Sequence, residues 1–431
     1  MKKVLIVSPH FPPVNAPDMQ RVRLALPHLR GLGWEPVVLA VEPEYVEGAV
    51  IDPLLEATYP AEVRVIRVAG VKPGRTRWAG IGNLWWRCGR QLAAAGEALL
   101  AAEKFDLVFF STTQFPAFAL GPKWRKRFGV PFVVDYQDPW VTDYYARTKT
   151  RPPGGWLKFT LAQWGAKRDE PRVLRAAAGA VSVSDSYPEM LARLYPWYDA
   201  GQMRVMPFGA SAIDLEVAVQ HRPAEPLVDF DDGNFHQVYT GRSGPDMKES
   251  LTMFFRGFAR FRETHPETAK LMRFHFIGTG YAPPPLGEDT VLPIARAEGV
   301  AEHVTEHRYR VPYFDTLYYL TRAHALIAVG SNDATYSASK IYGYVLARKP
   351  LLLIFHERSL VLKFAREVNA GLTLSFSGPQ DIERVAGEVE RQWFADGGNT
   401  RVAAWREEAF RPYSAAAMTA GVAEVFERAV R

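Results

Sequence analysis

Lys340 is preceded within three residues by Ser337 and Ser339, and the three crowd the start of a helix-like segment. Two hydroxyls, an ammonium and the positive end of a helix suit an anionic guest. A second cationic group lies in Gly241-Arg242-Ser243-Gly244-Pro245-Asp246-Met247-Lys248. The glycines allow a tight turn, and in a parallel sheet Arg242 and Lys248 reach the same strand end as Lys340. Gly278-Thr279-Gly280 repeats the strand-then-glycine pattern, a weaker signal because a lone Gly-x-Gly is common. The third group is Asp135-Tyr136-Gln137-Asp138-Pro139-Trp140, a polar loop at a strand end. Asp138 there is a carboxylate for orienting hydroxyls, or else the cap of the next helix. Asp229-Phe230-Asp231 has the spacing of a metal-binding pair, but it sits in a Pro- and Asp-rich connector and reads as a solvated turn, so no metal is expected. No Ser/His/Asp triad, zinc-ligand cluster or Walker loop competes with these groups.

Strand, helix and strand must alternate for those loops to converge. Apolar runs predict strands at 4–8, 35–41, 63–68, 107–111, 132–135, 180–184 and 204–206. They resume at 235–240, 274–277, 303–307, 325–329, 351–355 and 371–375. Helical segments between most of them imply parallel sheets covered on both faces. The expected helices include 18–30, 311–322, one from about Ser337 that Lys349-Pro350 stops, 379–392, and an Ala-rich one over 402–430. A further helix after Lys248 carries Leu251, Phe254, Phe255 and Phe258 at helical spacing. Residues 1–207 form one doubly wound domain and 208–400 a second, with 401–431 crossing back to the first. Val205-Met206-Pro207-Phe208-Gly209-Ala210 is the expected hinge.

Tyr336-Ser337-Ala338-Ser339-Lys340-Ile341-Tyr342-Gly343-Tyr344, closed by Ala347-Arg348-Lys349-Pro350, resembles the donor-binding motif of family 4 glycosyltransferases. The opening His10-Phe11-Pro12-Pro13, then Arg21, then Leu29-Arg30-Gly31-Leu32-Gly33-Trp34, is similar to the N-terminus of the same family. The resemblance implies the GT-B fold, two Rossmann-like parallel-sheet domains facing across a cleft, over nearly the whole chain. It implies a donor site of Gly241, Arg242, Lys248, Gly278, Ser339 and Lys340, with Arg242 and Lys248 on the donor diphosphate. It further implies a loop of His10, Arg21, Gln137 and Asp138 on the transferred sugar or the acceptor. Gln137 takes a place held in the family by an arginine or histidine. Gly343 stands where the family has a Glu on the nucleotide ribose, and Thr335 stands where an acidic residue is frequent.

The expected activity is therefore metal-independent, retaining transfer of a sugar from a nucleotide sugar to a glycan, lipid-linked or other cell-envelope acceptor, with no cofactor. The catalytic residues are expected to be Arg242, Lys248 and Asp138. Gly343 and Thr335 raise the alternative of a non-catalytic GT-B partner subunit or nucleotide-sugar binding protein. A nucleotide-sugar epimerase shares the fold but needs acid and base carboxylates, and no convincing pair is present.

The chain has 431 residues, 48% hydrophobic and 23% charged, which is globular and long enough for two domains. One cysteine, Cys88, excludes a disulfide framework and fits a reducing cytosol. The apolar opening ends at Ser8-Pro9-His10, short of a signal peptide, and no run approaches the ~18 apolar residues of a membrane span. A net charge of +5 permits anionic partners without choosing among them. Lys72, Arg75, Arg77, Arg87 and Arg90 interleave with Trp78, Trp85 and Trp86, and the segments 123–127 and 156–159 add further cations and tryptophans. That chemistry suits an anionic membrane surface, with a core-packed helix as the alternative. The expectation is a cytoplasmic protein, peripheral on the membrane, without a nucleic-acid partner.

Overall fold

Apolar runs that are buried on both faces can satisfy their backbone only in a covered parallel sheet. The computed structural model describes residues 1–76, 82–152, 154–282, 285–333 and 340–431. It divides into two compact units: Met1–Gly209 with Tyr413–Arg431, and Ala210–Pro412.

The first unit holds seven parallel strands: β1 (Lys2–Val7), β2 (Trp34–Val41), β3 (Arg64–Val68), β4 (Leu107–Ser111), β5 (Phe132–Tyr136), β6 (Gly179–Ser182) and β7 (Met203–Val205). Their order is β3-β2-β1-β4-β5-β6-β7. The order reverses between β1 and β4, the place in such a sheet where the loops leaving adjacent strands turn to opposite faces. One face packs Leu5, Val7, Val37 and Phe110 under the Leu84–Ala102 and Leu120–Phe128 helices. The other packs Val4, Ile6, Trp34 and Phe109 against the Gln20–Leu29 and Ala415–Ala429 helices. Phe426 of the last helix meets Trp34 and Phe109 edge-on at 5.2 and 5.0 Å.

The expected 402–430 helix is thus shorter, Ala415–Ala429. Pro412 lacks the N–H that an uninterrupted helix needs, and the Ser414 hydroxyl accepts from Ala417 N at 3.1 Å to start a new one. The chain leaves and re-enters this unit side by side. A Cβ at Gly209 would lie 2.5 Å from the Ser414–Ala415 backbone, so the crossing admits only glycine.

The second unit is a six-stranded parallel sheet of β8 (Phe235–Thr240), β9 (Met272–Ile277), β10 (Val304–His307), β11 (Ala325–Val329), β12 (Leu351–His356) and β13 (Leu372–Phe376), ordered β10-β9-β8-β11-β12-β13. Its reversal falls between β8 and β11. The Lys248–Thr264 helix buries Leu251, Phe254, Phe255 and Phe258 on this sheet, with Phe258 on Phe274 at 4.6 Å. Each such ring contributes about 1.5–3 kcal/mol by burial, which makes the sheet a rigid base for the loops at its edge.

Candidate functional site

Each sheet gathers polar side chains where its strand order reverses. In the second unit Lys340 is the residue before the Ile341–Leu346 helix, and it turns back over the end of β8. Its Nζ donates to the Tyr239 hydroxyl and the Thr240 carbonyl, both at 2.9 Å, and stands 4.1 Å from the Tyr239 ring centre. One turn on, the Tyr344 hydroxyl donates to the Thr240 carbonyl at 2.9 Å and lies 2.7 Å from the Thr240 N–H. Gly241, at φ +129°, has no room for a side chain: a Cβ there would fall 2.0 Å from Lys340 Nζ. The glycine is required both by the turn and by the lysine laid against it.

Arg242 forks onto Asp246 at 3.0 and 2.8 Å, and that pair holds the Asp246 carboxyl below its ordinary range. Asp246 in turn accepts from Asn332 N through its backbone carbonyl at 2.8 Å, and Ser250 Oγ donates to the Gly330 carbonyl at 2.7 Å. These bonds lace the loop after β8 to the loop after β11. The loop after β9 joins them, since Gly241 N reaches the Ile277 carbonyl and Ser243 N the Thr279 carbonyl. Glu306 on β10 accepts from Thr279 Oγ1 at 2.7 Å and from the N–H groups of Thr290, Val291 and Leu292, which fixes the Gly278 loop.

Arg310, three residues past the end of β10 at His307, stacks on Tyr281 at 4.2 Å and passes 3.9 Å from the position of a Cβ on Gly278. Burial pushes the Lys340 ammonium down to about 7, and the charges of Arg310 and Arg242 push the same way. Three cations thus face one another around the end of β8, an arrangement that favours a multiply charged anion. Lys248 opens its helix as an exposed residue and is not among the charges that act on Lys340. Ser337, Ser339 and Thr335 lie outside the described residues. Gly343 is half-buried, and a Cβ there would make ordinary contacts of 3.6 and 3.8 Å with Leu317 and Leu320. Arg310, Tyr239 and Tyr344 are the residues that the sequence analysis did not single out. The signal for Arg310 was its place just past a strand end.

The first unit brings His10, Arg21 and Gln137 together, but in a closed network. Arg21 is fully buried, donating to Asp135 Oδ2 at 2.9 Å and to the Met206 carbonyl at 2.7 Å, under the Phe208 ring. Gln137 Nε2 approaches Asp135 Oδ2 at 2.8 Å, the Asp18 carbonyl at 3.0 Å and Ser111 Oγ at 3.1 Å. Arg21 and Gln137 were expected on a sugar or acceptor. Their bonds here tie the start of a helix to the ends of β4, β5 and β7, with Arg21 Nη1 buried and without a hydrogen-bond partner.

His10 and Asp138 are the two of this group that reach the surface. His10 Nδ1 is 2.8 Å from Asp18 Oδ1, and Asp18 Oδ2 accepts from Thr112 Oγ1 and from Thr113 N and Oγ1 at 3.0–3.1 Å. Although burial opposes it, the sum of His10 and these donors holds the Asp18 carboxyl below its ordinary range. An ionised Asp18 fixes the Nδ1–H tautomer and turns Nε2 outward as an acceptor for a hydroxyl. Partial burial raises the Asp138 carboxyl, and the Asp18 charge adds to this.

Among the described residues no group of three or more His, Cys, Asp or Glu is placed to hold a metal ion. Asp229 Oδ1 accepts from Asp231 N at 3.1 Å, the bond of a local turn.

Residues 20–209 match the family described as "Glycosyl transferase 4-like domain". No curated protein matches the chain. Among solved structures, Anabaena HepE in complex with UDP and glucose is 14% identical, with 99% of this chain and 100% of that one covered and a TM-score of 0.52. Sucrose-phosphate synthase from Thermosynechococcus elongatus is 13% identical at a TM-score of 0.53, covering 99% of this chain and 98% of that chain. A glycosyltransferase from Rickettsia africae is 11% identical at 0.53, covering 100% and 99%. At these identities the likeness is one of fold. Over residues 20–209 the chain is thus similar to the glycosyl transferase 4-like domain, and from end to end it carries the GT-B fold.

Proposed function

We propose that the protein transfers a sugar from a nucleotide-sugar donor to a glycan, lipid-linked or other cell-envelope acceptor, without a metal and with retention, working peripherally at a membrane. The observation that carries this reading is the cluster of Lys340, Arg242 and Arg310 at the strand-order reversal of the second unit. Breaking the bond between a sugar and a diphosphate leaves negative charge on the diphosphate. Fixed cations aimed at that charge lower the barrier without reorganising during the reaction. Lys340, poised at about 7, takes up a proton as the diphosphate enters, so its full charge is present when the leaving group departs. Lys248 and Ser339 remain proposed contacts of the donor. His10 and Asp138 offer an acceptor and a carboxylate for orienting hydroxyls on the first unit. HepE was solved with UDP and glucose, which makes uridine diphosphate the first nucleotide to test.

The test is a thermal-shift screen against UDP, GDP, dTDP and ADP and their sugar conjugates. A ligand at a hundred times its dissociation constant stabilises by about 2.7 kcal/mol. One nucleotide is expected to shift the wild type and not Arg242→Ala. Gly343 favours a second reading, a GT-B partner subunit or binding protein that does not turn over a donor. A nucleotide shift with no sugar released in the presence of acceptors selects it, and silence across the panel rejects donor binding altogether.

A further inference from the structure

The Trp156–Ala176 helix buries one side, with Ala166, Glu170, Val173 and Leu174 in or against the core of the first unit. Its other side is out of keeping with a face meant for water. Trp156, Leu157, Leu161 and Trp164 are 47, 76, 62 and 67% exposed. Residues 157, 161, 164, 168, 172 and 175 follow at steps of three and four, one continuous stripe. The stripe is apolar over its first half and then becomes Arg168, Arg172 and Arg175. Trp34, Trp124 and Trp393 are buried in the fold, whereas Trp86 and Trp197 are 79 and 42% exposed as single residues.

From Tyr144 through Arg168 there is no Asp or Glu, against six cations: Arg147, Lys149, Arg151, Lys158, Lys167 and Arg168. Arg147, Lys149, Arg151 and Lys167 have no acidic partner among the described residues. Asp169 pairs with Arg168 and Arg172 at the far end of the stripe. A two-fold interface between copies of this chain would set this cation-rich patch against the same patch, at a cost in repulsion. Leucines and tryptophans flanked by cations match instead a surface that is apolar below and anionic above.

We propose that this helix docks the protein on an anionic phospholipid bilayer, with Trp156, Leu157, Leu161 and Trp164 entering the headgroup boundary and the flanking cations on lipid phosphates. The 156–159 part of the expected basic aromatic face belongs to this helix. Arg87, at 2% exposure, is spent inside the fold on the carbonyls of Tyr45 and Val71, and Trp124 is core. Arg77 and Trp78 lie outside the described residues. The assignment deepens the membrane part of the function proposed above and stands apart from nucleotide binding.

The experiment is co-sedimentation of the full chain with vesicles of phosphatidylglycerol and phosphatidylcholine, and of phosphatidylcholine alone, at low and high salt. The wild type is expected to bind the anionic vesicles at low salt, with a blue shift of tryptophan emission. Leu157→Asp with Trp164→Asp, both at exposed positions, is expected to lower binding at least about tenfold. Its nucleotide thermal shift should be unchanged. Lys167→Glu with Lys149→Glu is expected to weaken anionic binding and remove its salt dependence. Binding by the aspartate variant equal to wild type, or none by the wild type, overturns the proposal. So does a dimer in light scattering that the aspartate variant abolishes. A silent nucleotide screen beside normal vesicle binding counts against the transferase reading alone.

Discussion

The two polar clusters occupy equivalent places, each at the reversal of a parallel sheet, yet their charges are balanced differently. Around Asp135 in the first unit, the guanidinium of Arg21, the hydroxyl of Ser111 and the amide of Gln137 all converge on one carboxylate oxygen. The charge is closed within the fold. Around Thr240 in the second unit, Lys340, Arg242 and Arg310 gather with Asp246 as the carboxylate on Arg242, and the burial of Lys340 lowers its proton affinity. A cluster that neutralises itself holds loops together. One with positive charge in excess is completed by an anion from outside, so equivalent topology predicts where a site lies but charge balance predicts whether it binds.

The largest expected effect follows from breaking the closed cluster. Arg21→Ala leaves Asp135 buried without its cation and is expected to cost about 3–5 kcal/mol in urea unfolding. A cost below about 1 kcal/mol would show that the ion pair does not hold these loops. Next comes Glu170, a buried acid of the same unit whose partners are two hydroxyls, Tyr195 at 2.7 Å and Tyr136 at 3.3 Å. Burial raises its carboxyl to about 7. The folded state therefore holds a proton that the unfolded state releases near 4.5. That contribution is complete below about 4.5 and is lost as the pH rises through about 7. Glu170→Gln is expected to flatten this loss and to gain up to about 3 kcal/mol at pH 8, read by denaturant melts across pH.

In the open cluster the balance of effects reverses. Arg310 is exposed, so Arg310→Ala is expected to change stability by no more than about 0.5 kcal/mol while weakening nucleotide binding by about 1–3 kcal/mol. Equal affinities for the variant and the wild type, measured by calorimetry, would remove Arg310 from the site. The smallest effect is the pH dependence of binding. Lys340 is lowered to about 7 when empty, and an anion stabilises its charged form. Affinity is expected to fall as the pH rises from 7 to 9, by at most about tenfold per unit. Lys340→Met should lose that slope and melt no lower than the wild type, since it removes a desolvated ammonium.

The alternation of strand and helix was plain in the apolar runs, and with it the loops that carry Lys340 and Arg242. The partners of those residues were not. Tyr239 reads as an ordinary strand position, and only the adjacency of β8 and β11 brings Lys340 onto it across about a hundred residues of chain. Arg310 lies past β10, an edge strand, with no glycine motif to mark it. Arg21 stood out in the sequence only through the family resemblance, as a residue for the sugar or the acceptor. Its burial is decided by Asp135, 114 residues on, which no local pattern encodes. The Ala-rich tail read as one helix because helical propensity outweighed Pro412.

The central claim is that the second unit's cations await an anion. Its most direct test is calorimetric titration, at pH 7 in two buffers of different ionisation heat, of the nucleotide diphosphate that the screen selects. The account predicts net proton uptake on binding, a fraction of one proton, that disappears in Lys340→Met. Binding without proton uptake, at an affinity that Lys340→Met leaves unchanged, would contradict it.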